Sequence, residues 1–345
     1  MDILEVKNLS IHYETKDGPL MAVDDVSFTI EEGENLGIVG ESGCGKTTVI
    51  KGILQLLAKN GKVVNGSIKY RGEDLTKLSE EEMRKYRWKE IAMISQSAMN
   101  ALNPVYRVGN QIKEAVYAHT KLSNNEAQKR AEEVFDIVGL EAKRLKAYPH
   151  EMSGGMKQRA IIAMAMVLNP GLIIADEPTT ALDVIVQDKI LQKIVEIQDE
   201  INSSMVFITH DISVVAETCE KVCVMYGGKV MEYGSTKDIF KDSRHPYTLG
   251  LRNAFPNISL SQKILISIPG IPPDLVNPPE GCRFYERCPF SDDKCKKEQP
   301  PKINVTDEHY LYCHYADQYE KFREESVKAE TWEYVKQRQI ERGVV

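Results

Sequence analysis

Gly40-Glu41-Ser42-Gly43-Cys44-Gly45-Lys46-Thr47 decides the fold, because it meets the phosphate-binding pattern G-x-x-x-x-G-K-S/T at every fixed position. The apolar run Leu36-Gly37-Ile38-Val39 before it reads as a buried strand, and Thr47 to Leu54 after it carries helical periodicity, which together give the strand, loop and helix this pattern requires. Glycines at 40, 43 and 45 let the backbone curl until successive N–H groups point inward, and the following helix adds its positive end. A triphosphate fits such a nest: Lys46 reaches the outer phosphates as a point charge and the Thr47 hydroxyl holds Mg2+.

Composition bounds the alternatives. A chain of 345 residues has room for about two domains. Its net charge of −7 argues against a generic nucleic-acid binder. The opening Met1-Asp2-Ile3-Leu4-Glu5 lacks the basic and then apolar run of an export signal. The longest mostly apolar run, Ala160 to Leu168, is shorter than the roughly 18–20 residues a membrane span needs. Of seven cysteines, four (Cys282, Cys288, Cys295 and Cys313) cluster near the end of the chain, a pattern that favours metal over disulfides if the chain is cytosolic.

Short alternating stretches over residues 3–30 predict strands of an antiparallel layer. Tyr13, on one of them, is a candidate for stacking on a nucleotide base, although a lone strand tyrosine is commonly packing alone. A strand at Gly66–Tyr70 and a charged helix opened by the Ser79/Glu82 capping box follow. The apolar strand from Ile91 then ends on Gln96. Residues 107–150 read as helical, with Ala131, Val134, Phe135 and Val138 on one face, so that a helical subdomain of about 97–168 interrupts the nucleotide core.

That subdomain ends on Ser153-Gly154-Gly155 at the start of the apolar helix Ala160–Leu168, a second helix N-terminus able to meet phosphate. Gly171 to Ala175 forms a buried strand whose end carries Asp176 and Glu177. Strand alternation would send the two carboxylates to opposite sides: Asp176 to Mg2+ beside Thr47, and Glu177 to the attacking water. His210 ends the next strand, Ser204–Thr209, and joins them if the strands are neighbours. The Gly227-Gly228 pair predicts a hairpin, the proline-rich residues 269–279 an extended connector, and residues 316–345 a charged terminal helix.

In this order the pieces resemble the nucleotide-binding subunits of ATP-binding-cassette transporters over about residues 1–250. The family's signature Leu-Ser-Gly-Gly-Gln is matched by Met152-Ser153-Gly154-Gly155-Met156, its Q-loop by Gln96, its D-loop by Thr180-Ala181-Leu182-Asp183 and its H-loop by His210. Met152 and Met156 depart from the pattern at the signature's ends. The resemblance implies an α/β P-loop NTPase cassette with an antiparallel β layer, an inserted helical subdomain and a small cysteine-rich C-terminal extension over 251–345. It implies that ATP is bound by Tyr13, Gly40, Ser42, Gly43, Cys44, Gly45, Lys46, Thr47 and Thr48, and from the facing subunit by Ser153, Gly154, Gly155 and Asp183. Mg2+ falls to Thr47, Gln96 and Asp176, and catalysis to Glu177, His210 and Gln96. Two cassettes would close head to tail on ATP and pass the motion to two membrane permease subunits at the cytoplasmic face of the membrane. A paralogous second ATPase is the expected partner, and no nucleic acid is expected.

Ser243-Arg244-His245-Pro246-Tyr247-Thr248 and Ile268-Pro269-Gly270-Ile271-Pro272-Pro273 narrow the resemblance to the dipeptide, oligopeptide and nickel importer branch, which implies peptide uptake served indirectly by an external binding protein. The tail spacing C-x5-C-x6-C-x17-C suits four thiolate ligands. In this branch it resembles a 4Fe-4S motif, with zinc or uncommitted cysteines as alternatives. Two further readings stand beside import of peptide or nickel. One is a soluble cassette ATPase acting on nucleic acid; the other is a redox module centred on the cysteines.

Overall fold

The computed structural model describes residues 1–95, 101–178, 191–192, 195–196, 198, 203–210, 212–254 and 267–341. The strands Gly18–Glu31, Asp2–Thr15, Gly61–Tyr70 and Glu73–Asp74 form a four-stranded sheet in that order. The third of these starts five residues earlier than the sequence reading, at Gly61 rather than Gly66. The chain divides into two compact units that do not follow sequence order.

The first unit comprises Met1–Leu4, Ile30–Asn35 and Lys69–Ile208. Its strands Ile91–Ile94, Leu172–Asp176 and Ser204–Thr209 run parallel, with Ile94 opposite Ala175 and Asp176 opposite Ile208. Leu172 to Ala175 are fully buried, as expected of a parallel sheet covered on both faces. The helices Val108–His119, Asn124–Ile137 and Gly154–Met166 also belong here. Ser123 and Glu126 cap the second of them reciprocally, and its apolar stripe buries Ala127, Ala131, Val134 and Phe135. The Ser79/Glu82 capping box of the charged helix Glu80–Met83 forms as read.

The second unit comprises Glu5–Thr29, Leu36–Ile68 and Thr209–Val345. Its strand Asn35–Val39 runs parallel to Lys221–Tyr226, which turns back through Gly227 and Gly228 into Lys229–Ser235. Both glycines have positive φ, 55° and 82°, the conformation a tight hairpin turn demands. The sheet continues into the cysteine-rich segment: Tyr310–Tyr312 pairs antiparallel with Lys229–Ser235, and Lys302–Asn304 with Tyr310–Tyr312. The prolines of the connector cannot donate to a ladder, yet the chain there is tied down through Leu275, whose carbonyl accepts from Met21 N–H at 2.8 Å. The expected terminal helix is two helices, Tyr319–Ser326 and Ala329–Glu341. The break has a cause. The Ser326 carbonyl accepts from the Asn253 amide at 3.0 Å and from the Trp332 indole at 2.9 Å, partners that stand in for the next helical N–H.

Candidate nucleotide-binding site

The phosphate loop lies in the second unit. Gly40 and Gly45 have φ of 153° and 105°, in the region where side chains are strained, and neither has room for one. A Cβ on Gly40 would stand 2.1 Å from the Met225 carbonyl oxygen, and one on Gly45 2.4 Å from that of Ala22. Gly43 has φ of 80°. Gly45 caps the helix Lys46–Ile53 in the left-handed conformation. Lys46 is buried, and its ammonium donates to the carbonyl oxygens of Gly40 at 2.7 Å and Glu41 at 3.0 Å, which folds the cation back over the loop. Ser42 and Thr47 are exposed and Thr48 is half-buried. Cys44 turns its side chain inward, and burial pushes its thiol up in spite of Lys46 nearby, while its backbone N–H donates to the Glu41 carbonyl at 3.3 Å. Tyr13 is half-buried, with its ring against Gly61, where a Cβ would lie 2.5 Å from the Tyr13 Cε1.

The carboxylates and the signature lie in the first unit. Asp176 closes its strand and is 4% exposed. Glu177 sits beyond the strand end, half-buried, with its backbone in the left-handed region at φ 47° while its N–H donates to the Ile208 carbonyl at 2.8 Å. The two acids are therefore separated by a change of backbone conformation and not by simple strand alternation. A non-glycine residue held there stores strain of about 1–3 kcal/mol, a feature that concentrates at functional sites. Ser153 caps the helix Gly154–Met166, its Oγ accepting from Met156 N–H at 3.3 Å. Met152 is buried, so methionine in place of leucine fills an apolar site with an apolar chain. Gln158, which the sequence reading passed over, is buried and its amide donates to the Pro178 carbonyl. It ties the signature helix to the chain just after Glu177, and set between Lys157 and Arg159 it gives no sequence signal of its own. His210 is exposed at the end of Ser204–Thr209. Gln96 and Asp183 lie outside the described residues.

The four tail cysteines line one small pocket with His245, Phe284, Phe290 and Phe322 among its other walls, and none is in a disulfide. Burial pushes the thiols of Cys282 and Cys313 up to about 12 and raises those of Cys288 and Cys295, and neighbouring cysteines of the set add to the rise in Cys282, Cys288 and Cys313. Among the described residues, no three His, Cys, Asp or Glu side chains are grouped so as to hold a metal ion. Neither is any described helix long and apolar enough to cross a membrane.

A phosphate loop with a folded-back lysine, a buried strand ending in paired acids and a serine-capped Ser-Gly-Gly helix define a cassette-type P-loop ATPase. The ABC transporter family model matches residues 23–180, and the model of the oligopeptide/dipeptide transporter C-terminal region matches residues 231–295. The oligopeptide transport ATP-binding protein OppD of Bacillus subtilis is 46% identical, over 90% of this chain and 87% of its own length. Its Escherichia coli namesake is 45% identical, over 86% and 89%. A solved post-hydrolysis dimer of the ATP-binding cassette MJ0796, bound to ADP and Pi, is 29% identical and covers 68% of this chain and 98% of that one at a TM-score of 0.61. The chain belongs to the ATP-binding subunits of the oligopeptide and dipeptide branch of ABC transporters.

Proposed function

We propose that this chain binds and hydrolyses ATP at the cytoplasmic face of the membrane to power import of dipeptides or oligopeptides through partner permeases. The observation that carries the reading is the match to peptide-transport ATPases over both the cassette and the C-terminal region. Lys46 and the loop N–H groups take the β- and γ-phosphates, and Tyr13 takes the base. Thr47, Asp176 and Gln96 would hold Mg2+, Glu177 accepts a proton from the attacking water, and His210 and Gln96 complete the catalytic set. One phosphate loop leaves the outer side of the γ-phosphate bare, so the signature Ser153-Gly154-Gly155 and Asp183 of a facing subunit complete the site, and closure excludes water. The dimeric state of the related cassette supports this arrangement.

Cys282, Cys288, Cys295 and Cys313 would hold a 4Fe-4S cluster. Their shared pocket and freedom from disulfides favour that reading, while among the described residues no three of them are grouped closely enough to hold a metal ion. The cluster would supply cross-linking of a tail too small to build a core of its own.

Purifying the intact assembly from membranes and identifying its bound solute by mass spectrometry tests the transport reading. Peptides are expected. Recovery of the chain on nucleic acid, free of permeases, would overturn it.

A further inference from the structure

We infer that Arg287, in the cysteine-rich extension, is a positioning residue for the phosphate loop and sets the affinity of this subunit for ATP through Glu41. The inference rests on the nucleotide-site reading above and deepens it.

Arg287 is 3% exposed, yet each of its donor groups is engaged. The two terminal nitrogens grip the Glu41 carboxylate, one at 2.9 Å. The same nitrogens reach the Tyr226 hydroxyl at 3.2 Å and the Ile268 carbonyl at 3.1 Å, and Nε donates to the Pro269 carbonyl at 2.8 Å. This is the bidentate geometry that guanidinium supplies and ammonium does not.

Glu41 is the second residue of the phosphate loop, and it is held at three points. Its side chain is on Arg287, its N–H donates to the Tyr247 hydroxyl at 3.0 Å, and its carbonyl accepts from Lys46. Tyr247 is in turn packed by Tyr226 and by Phe284, with ring centroids 4.7 Å and 5.2 Å away. Phe284 and Arg287 come from the loop between Cys282 and Cys288. That loop therefore fixes both the side chain and, through Tyr247, the backbone of the residue whose carbonyl orients Lys46. A misplaced Glu41 carbonyl would leave Lys46 held by the Gly40 carbonyl alone and loosen the N–H nest. Preorganisation of this kind acts on nucleotide affinity because the loop need not be ordered on binding.

The test is a fluorescence titration of the full chain with mant-ATP and Mg2+. Arg287→Met and Glu41→Gln should each raise Kd about 5–10-fold, the size of one lost positioning contact. The double variant should be no weaker than either single one, since the two residues act as one pair. Arg287→Lys should recover part of the loss. Arg323→Met is the control for general loosening of the extension: Arg323 binds the Ser243 carbonyl at 3.0 Å and the Asp242 carboxylate, away from the pair and from the Cys282–Cys288 loop, and its Kd should match wild type. Glu41→Gln keeps the test decisive if Arg287→Met does not fold. Wild-type affinity in Glu41→Gln, losses that multiply in the double variant, or an equal loss in Arg323→Met would each overturn the inference. Failure of the wild-type chain to bind mant-ATP, or equal binding by Lys46→Ala, would instead sink the nucleotide-site reading.

Discussion

Glu177 carries the sharpest residue-level prediction. Its left-handed backbone, φ 47° with the N–H tied to Ile208, aims a carboxylate independently of the Asp176 strand. Glu177→Gln should keep ATP affinity and lower turnover by about 100-fold or more, the scale of a lost general base, while trapping an ATP-bound dimer visible by size-exclusion chromatography. Hydrolysis at the wild-type rate would remove Glu177 from its role. Gly45→Ala should abolish mant-ATP binding outright, because a methyl group would stand 2.4 Å from the Ala22 carbonyl. The phosphate loop was legible in the sequence because its chemistry is carried by backbone, and only glycine satisfies such backbone. Glu41 was not. It occupies a variable place in the pattern, and its importance comes from Arg287, 246 residues further along, which no local spacing reveals. Glu177 was legible as an acid but not as a strained one, since alternation assumes that the strand continues.

At the scale of elements, the cysteine-rich extension is built onto the nucleotide core's own sheet. Tyr310–Tyr312 joins the hairpin strand Lys229–Ser235, and Tyr310 stacks on Tyr233 at 5.2 Å. Periodicity could not reveal this, because three-residue strands are too short to alternate measurably. The helices that did read correctly, such as Asn124–Ile137 within the helical stretch 107–150, are long enough to show an apolar period. On the proposed cluster assignment, Cys288→Ser should lower the iron and acid-labile sulfide bound per chain and weaken mant-ATP binding in parallel, since Cys288 adjoins Arg287. Full iron retention or unchanged affinity would break that chain of contacts. Trp332, 3% exposed, bonds to Ser326 and lies against Gly250. Trp332→Ala should cost about 3–5 kcal/mol, as large-to-small core changes do, and denaturant unfolding would measure it.

For the whole molecule, the ordered recurrence of phosphate loop, signature and paired acids made the family legible, because each motif constrains the others' meaning. The transported solute was not, since the motifs legible in this chain address nucleotide and not solute. The central claim is that ATP turnover by this chain drives peptide uptake. The most direct measurement is accumulation of radiolabelled peptide in proteoliposomes holding the permeases and this subunit, with the external binding protein outside and Mg-ATP within. Wild type should accumulate peptide only when ATP is supplied, and Glu177→Gln should not. Accumulation that persists with Glu177→Gln, or uptake of nickel with none of peptide, would contradict the claim.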